Sequence, residues 1–155
     1  MIDRLKRFFS QDAQGIVRDS EQKSEHDVLV AVCALFLEMA GIDETFSPEE
    51  TESILAILKE KYGLSPGHAE ALVAEARKEL DESVDLWQFS HLINQHYSAE
   101  EKQQVIEILW RIVFIDGKMD RYEHYLMRKL RSLLRVSHDQ LIAAKLKVLE
   151  SSENN

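Results

Sequence analysis

Acidic side chains cluster in FIDGKMDRYE, residues 114–123, directly after a long apolar run. Asp116, Asp120 and Glu123 stand around Gly117 there, and carboxylate oxygens are ligands that calcium and magnesium prefer. An EF-hand loop needs acidic residues at positions 1, 3 and 5, glycine at 6 and glutamate at 12, whereas here glycine is at 2 and glutamate at 8. The EF-hand interpretation fails, which leaves a weak divalent-cation site or a plain corner between helices.

The same residues fit a corner between two helices. Asp120 can cap a helix that starts at Arg121, while Glu123 reaches back to the backbone N–H of the cap. Gly117 permits the positive φ that often ends a preceding helix. Asp116 is explained less well, because a carboxylate near a helix C-terminus faces the unfavourable end of the dipole. We therefore favour a structural corner, and a weakly bound calcium or magnesium ion is the alternative.

Sequence patterns that indicate an enzyme are absent. The six histidines form neither an HExxH motif nor a pair four residues apart with a carboxylate at helical spacing, which a zinc enzyme would need. No GxSxG, P-loop or Rossmann glycine pattern occurs. Cys33 lies inside the apolar run VLVAVCALFL and lacks the polar, partly exposed setting of a nucleophile. The sequence thus predicts no catalytic residue, and a metal-dependent hydrolase that uses the acidic cluster is the less favoured alternative.

Composition narrows the classes of partner and the compartment. The 155 residues are 45% apolar, which is enough for the core of one domain. A formal net charge of -9 would repel a phosphate backbone, so we expect no nucleic-acid partner. The lone cysteine cannot form an internal disulfide, and the apolar run at 28–37 is shorter than the about 20 residues that span a bilayer. Because the start of the chain has no secretory signal pattern, we expect a cytoplasmic protein.

Apolar residues recur at helical spacing through most of the chain, whereas glycine totals 5 and proline only 2. The pattern predicts an all-α fold, a compact bundle of about seven to eight helices. The predicted helices span 2–9, 25–42, 48–62, 66–81, 86–97, 99–115, 121–135 and 138–150. Capping boxes of Ser98 with Glu101 and of Ser137 with Gln140 mark two of the helix starts, and Pro48 marks a third.

Three regions follow from this pattern. Residues 1–24 are predicted to be an N-terminal amphipathic helix and a polar linker, 25–150 the helical domain, and 151–155 a disordered tail. The first segment, MIDRLKRFF, places apolar residues 2, 5, 8 and 9 on one helical side and basic residues elsewhere. Nine residues are marginal as an isolated helix, so we favour docking of this segment on its own bundle or a homo-oligomer contact. Peripheral contact with an anionic membrane surface, or with a groove of another protein, is the alternative.

The acidic corner has a weaker copy earlier in the chain. Asp43 and Asp116 are 73 residues apart, and so are Glu50 and Glu123. Each copy follows a helix that is apolar almost all round, as expected for the two most buried helices of a bundle. The sequence therefore predicts a degenerate internal duplication whose two halves superpose.

The helix that ends in FIDGKMDRYE and is followed by LMRKLRSLLRVS, with the weaker copy EMAGIDETFSPEETESILAILKEKYGLS, resembles the TerB-like family associated with tellurite resistance. The resemblance implies an all-helical fold with two similar halves in a bacterial, cytoplasmic protein. It also implies divalent-metal binding at the helix corners, which maps onto Asp43, Glu50, Asp116 and Glu123. In the first copy Gly41 precedes the aspartate instead of following it, which argues against a symmetric pair of sites.

This resemblance implies no settled biochemical activity. We expect a non-enzymatic TerB-like domain that acts as an adaptor or sensor in a bacterial stress response of the tellurite type. A protein partner is implied, and the cofactor would be at most a weakly bound divalent cation. The candidate metal ligands are Asp43, Glu50, Asp116, Asp120 and Glu123. The main alternative is a purely structural protein–protein interaction module, in which no ion binds and the acidic residues only cap helices.

Overall fold

The computed structural model describes residues 17–41, 48–115 and 121–153. These described residues form seven helices and contain no strand, which confirms the predicted all-α fold. In chain order the helices are α1 (Val17–Met39), α2 (Pro48–Tyr62), α3 (Pro66–Glu82), α4 (Trp87–His96), α5 (Ala99–Ile115), α6 (Arg121–Leu133) and α7 (His138–Glu153). The helix predicted at 2–9 lies outside the described residues.

Local hydrogen bonds fix the helix starts in the way the sequence predicts. Before α5, the Ser98 N–H donates to Glu101 Oε1 at 2.8 Å, and the Glu101 N–H donates to Ser98 Oγ at 3.2 Å. Ser137 and Gln140 form the same reciprocal pair before α7, at 2.9 and 3.1 Å. A further cap, not predicted from the sequence, stands before α3, where Ser65 Oγ accepts the backbone N–H of His68.

Both ends of α1 and the end of α7 differ from the predicted bounds. α1 begins at Val17 rather than at 25, because the supposed linker is rich in Arg, Glu, Gln and Lys and has no glycine or proline after this point. α1 ends at Met39, and Gly41 follows with φ of +73°, a conformation that glycine adopts without steric cost. α7 continues to Glu153, past the predicted end at 150.

α1 lies at the centre of the core. From Val28 to Leu37 it is buried on nearly every side, and Leu29 is the partly exposed residue of that stretch. α1 packs against α3, α4 and α5, and α5 packs in turn against α7. A helix that is apolar all round requires such surroundings, because every face must be removed from water.

One packing relation recurs in the two halves of the chain. α1 packs on α3 in the first half, and α5 packs on α7 in the second, with one helix between the members of each pair along the sequence. This recurrence agrees with the predicted duplication. The superposition itself stays a prediction, because residues 42–47 and 116–120 lie outside the described part of the chain.

Polar side chains join the middle of α1 to α3. The His26 Nε2–H donates to Glu75 Oε2 at 2.7 Å, and the His26 ring stacks on His68 with centroids 6.1 Å apart. The hydrogen bond to Glu75 raises the pKa of His26 above its ordinary value, burial opposes the shift, and the charges of Glu75 and Asp27 add to it. Outside the apolar core, α1 and α3 are therefore also joined by a titratable pair, His26 with Glu75.

Candidate functional site

Only part of the predicted cation site falls within the described residues. Asp43, Asp116 and Asp120 lie outside them, and Glu50 stands in the first turn of α2 with its side chain outside them. Glu123 lies in the first turn of α6 and is half-buried. Across 17–41, 48–115 and 121–153, no group of three or more His, Cys, Asp or Glu side chains is arranged to hold a metal ion. The cation site stays a prediction.

A hydrogen bond brings together the helix ends that flank the two acidic corners. The Tyr122 hydroxyl, in the first turn of α6, donates to Glu38 Oε1 in the last turn of α1. Residues 42–47 follow α1, and residues 116–120 precede α6. This contact was not predicted, because neither partner belongs to the repeated acidic pattern.

An open groove of about 950 Å³ runs along α5, and we call it the α5 groove. α5 contributes most of its lining residues, among them Glu100, Gln104, Glu107, Arg111, Phe114 and Ile115. The last turn of α2 adds Glu60 and Lys61, and the C-terminal part of α7 adds Lys147, Val148 and Ser151. Three helices thus meet around a concave surface that carries both charged and apolar side chains.

Ion pairs join α5 to its two neighbours in the groove. Arg111 Nη2 lies 3.4 Å from Glu60 Oε2, and Lys147 Nζ lies 3.1 Å from Glu107 Oε1. Glu100 makes no ion pair with any residue that the structure describes. The pair of Arg111 with Glu60 is exposed on both sides and stabilises the fold by about 0–1 kcal/mol, so a charged ligand can displace it at little cost, whereas Glu107 of the other pair is only 20% exposed.

Apolar side chains form the end of the α5 groove that lies next to residues 116–120 in the sequence. Phe114 is half-buried and stacks on Trp110, with ring centroids 5.7 Å apart. Ile115, the last residue of α5, is 53% exposed. Val148 of α7 is a half-buried member of the same lining. The groove therefore offers apolar surface to a ligand as well as charge.

The thiol and phenol groups of the core are not poised as nucleophiles. Burial raises the pKa of the Cys33 thiol to about 12. Burial, followed by the charges of Glu101 and Glu25, raises the pKa of Tyr97 to about 12. The pKa of Tyr62 is raised by burial first and then by its neighbour Tyr97. A thiol with such a pKa is almost wholly protonated at neutral pH, so Cys33 is the core residue that the sequence predicts.

The prediction that residues 105–115 are apolar almost all round and deeply buried holds for most of the stretch, but one face of α5 departs from it. Gln104, Glu107 and Arg111 are half-buried and line the groove, whereas residues such as Val105 and Leu109 are fully buried on the other side. The sequence already indicates this polar face, because the polar residues of α5 recur at steps of three and four and so share one side of the helix.

The seven helices that the structure describes pack around a buried α1, and with the α5 groove they define a small all-α domain. The model of one protein family, described as Tellurite resistance protein TerB, matches residues 29–146. The chain belongs to this family, which confirms the resemblance seen in the sequence. The family is one of helical domains and is not known for enzymatic activity.

The comparisons with curated proteins and with solved structures gave no match. None of the described helices is long and apolar enough to cross a membrane.

Proposed function

We propose that this TerB-family domain acts without catalysis, as an adaptor or sensor in a bacterial stress response in the cytoplasm. The α5 groove is the observation that carries the proposal. Its floor belongs to a helix whose opposite face is fully packed in the core, so the binding surface is rigid. Grooves with apolar and charged parts receive amphipathic helices of partner proteins. The family description, tellurite resistance, supports the connection with stress.

A divalent cation at the acidic corner would make this adaptor a sensor. Ile115 lines the groove, and Asp116 follows it directly in the sequence. An ion held by Asp116, Asp120 and Glu123 would fix the end of α5 and with it the apolar end of the groove. A loop that supplies only three carboxylates resembles the weak calcium modules, so we expect a Kd no tighter than roughly 10⁻⁴ M. Asp43 and Glu50 are the remaining candidate ligands, but the displaced Gly41 argues against an equivalent site at the first corner.

Calorimetry of the wild type and of Asp116→Asn and Asp120→Asn tests the cation. Both changes should weaken the heat of calcium or magnesium binding, because an amide gives less charge to a hard cation than a carboxylate does. If Asp120 only caps α6, Asp120→Asn should leave stability unchanged, since asparagine caps about as well. Glu70→Gln, an exposed change on α3, is the matched control. Absence of heat with calcium, magnesium, manganese and zinc at millimolar levels would remove the ion and leave an interaction module.

Photo-crosslinking in the native cell tests the adaptor role. A photoreactive residue at Gln104 in the groove should capture a protein partner that the same residue at Glu70 does not capture. Charge reversal by Glu107→Lys should then reduce the captured amount. A partner captured equally from both positions, or none captured from Gln104, would contradict the groove as the adaptor surface.

A further inference from the structure

α6 presents a basic and aromatic side to solvent. Its exposed positions recur at steps of four and three residues and therefore share one side of the helix, which continues into the turn after α6. The stripe is about 20 Å long, and the opposite side of α6 is buried in the core. We call this stripe the α6 face, and it consists of Arg121, Tyr125, Arg128, Ser132 and Arg135.

The positive charge of the α6 face is not neutralised by its described neighbours. None of its three arginines makes an ion pair with a residue that the structure describes. Arg131, by contrast, serves the fold, since its guanidinium donates to the Val136 carbonyl oxygen at 3.1 Å. Lys129 lies beside the face, 5.9 Å from the centre of the Tyr125 ring. In a chain with 28 acidic and 19 basic residues, such a concentration of positive charge is a local exception that attracts an acidic partner.

Arg135 extends the stripe from a backbone conformation that few residues adopt. Its φ is +58°, and among the described residues it is the one non-glycine residue with a positive φ. The Arg135 N–H donates to the Ser132 carbonyl oxygen at 3.2 Å. The next N–H, of Val136, donates to the Arg131 carbonyl oxygen at 3.0 Å. Helices that end in this way usually have glycine at this position, so an arginine there is strained and points to a use for its side chain.

The first half of the chain makes the corresponding turn with glycine. Gly63 follows α2 with φ of +65°. Gly63 and Arg135 each come five residues after the last buried leucine of their helix, Leu58 in α2 and Leu130 in α6. The sequence of α2 contains no arginine, so the arginine stripe belongs to the second half alone. The turn itself therefore needs no arginine.

The residue types of the α6 face fit a protein interface. Arginine and tyrosine are enriched in interfaces and often carry much of the binding energy. Tyr125 is 54% exposed and stands between Arg121 and Arg128. An arginine binds a carboxylate through two parallel hydrogen bonds. An anionic membrane would also attract the arginines, but α6 has no exposed Leu, Ile, Phe or Trp side chain to enter the acyl layer. An acidic protein segment therefore fits the face better than a membrane does.

We propose that the α6 face is a second binding surface of this domain, which takes an acidic segment of a partner protein. Carboxylates of the segment pair with Arg121, Arg128 and Arg135, and Tyr125 packs against the segment between them. No residue of α6 lines the α5 groove, so the two surfaces are separate. The inference goes beyond the proposed function, because it gives the adaptor a surface for a second partner.

A fluorescent peptide of about eight glutamates tests the surface, since in extended form it covers the whole stripe. Fluorescence anisotropy with the full chain measures its affinity. Arg128→Glu should weaken binding at least about tenfold, because an attractive contact becomes a repulsive one. Lys78→Glu, the same change of charge at an exposed position of α3, is the matched control and should have little effect. Equal losses in the two variants, or no binding of the peptide to the wild type, would overturn the proposal.

Arg135→Gly separates binding from folding. Glycine adopts a positive φ without steric cost, so the thermal midpoint should stay the same or rise. The affinity for the peptide should fall about two- to fivefold, because one exposed charge pair is lost. Arg135→Lys keeps the charge and should keep most of the affinity. A lower midpoint for Arg135→Gly would show that the arginine serves the turn, and an unchanged affinity would remove it from the face; either result contradicts the proposal.

Other occupants are tested with the same variants. Binding of phosphatidylglycerol vesicles or of a single-stranded RNA oligonucleotide, abolished by Arg128→Glu and seen without peptide binding, would overturn the proposal in favour of a membrane or a nucleic acid. Self-association of the wild type that Arg128→Glu removes would assign the face to a second copy of the chain. Capture of a partner from Gln104 in the α5 groove is measured separately, so failure here is distinguishable from failure of the adaptor role.

Discussion

α1 and α5 occupy equivalent places in the repeated sequence pattern, yet they differ in burial. Both are apolar helices that precede an acidic corner, and each packs on the helix two elements later. α1 is enclosed by other helices from Val28 to Leu37. α5 is enclosed on one side only, and Glu107, Arg111 and Ile115 reach the groove from its other side.

This difference separates a structural helix from a helix with a binding face. An enclosed helix can contribute to stability but offers no surface to a partner. A half-enclosed helix has one face that is needed for stability and another face where substitutions are tolerated. Substitutions on this second face should impair binding without unfolding the domain. Substitutions in the two helices should therefore have opposite profiles of stability and binding.

The largest difference is expected between two phenylalanines. Phe36 of α1 is fully buried, so Phe36→Ala should cost about 3–5 kcal/mol of unfolding free energy through lost burial and the cavity left behind. Phe114 of α5 is half-buried in the groove lining, so Phe114→Ala should cost clearly less. Urea denaturation followed by circular dichroism measures both values. Equal costs would show that the groove face of α5 is as structural as α1.

A smaller loss is expected on the buried face of α5. The Trp110 Nε1–H donates to the Leu141 carbonyl oxygen of α7 at 3.0 Å, and the ring is 3% exposed. Trp110→Phe should cost about 1 kcal/mol for this hydrogen bond, with an added cost because the smaller ring leaves a void.

Trp87 provides the matched control. It is 53% exposed and stacks on His91, so Trp87→Phe should change the unfolding free energy by no more than about 0.5 kcal/mol. The same denaturation measurement applies to both variants. A cost at Trp87 as large as that at Trp110 would contradict the distinction between a packed and an open face.

The sequence predicted the helices well because their signals are local. Capping boxes at Ser98 and Ser137 and the proline at position 48 act within one helical turn, and the starts of α2, α5 and α7 agree with them. The start of α1 was predicted too late, at 25, since a polar stretch without glycine or proline is compatible with both linker and helix. The apolar pattern indicated only where the buried part of α1 begins, and the helix starts several residues before that point.

The candidate site was harder to predict because it depends on packing between distant helices. The groove needs α2, α5 and α7 together, and no motif in any one of them indicates the other two. The polar stripe of α5 was visible as Glu107 and Arg111, but the sequence could not show whether that stripe faces solvent or a neighbour. The acidic corners at Asp43 and Asp116 lie outside the described residues, so the predicted ion is left to the calorimetric test.

A pH-dependent effect of moderate size is expected where α1 meets α3. Glu75 raises the pKa of His26 above about 6.5, so the stabilising effect of the charged pair is complete below that pH and disappears as pH rises through the folded-state pKa. The charge of Asp27 also favours protonated His26, and the ring of His68 stacks on the ring of His26. Between pH 6 and 9 the wild type should therefore lose up to about 1 kcal/mol that Glu75→Gln never has. His91→Gln should keep the wild-type profile, and an identical profile for Glu75→Gln would exclude this pair as the cause.

The smallest change in stability is expected at the ion pair of the groove. Lys147 is 68% exposed while Glu107 is 20% exposed, so Lys147→Gln removes a mostly solvated partner and should alter the unfolding free energy by no more than about 0.5 kcal/mol. Urea denaturation measures this value, and the denaturation midpoint should stay unchanged. A loss of several kcal/mol would mean that this pair holds α7 on α5, and that the groove face of α5 serves the fold in the way that α1 does.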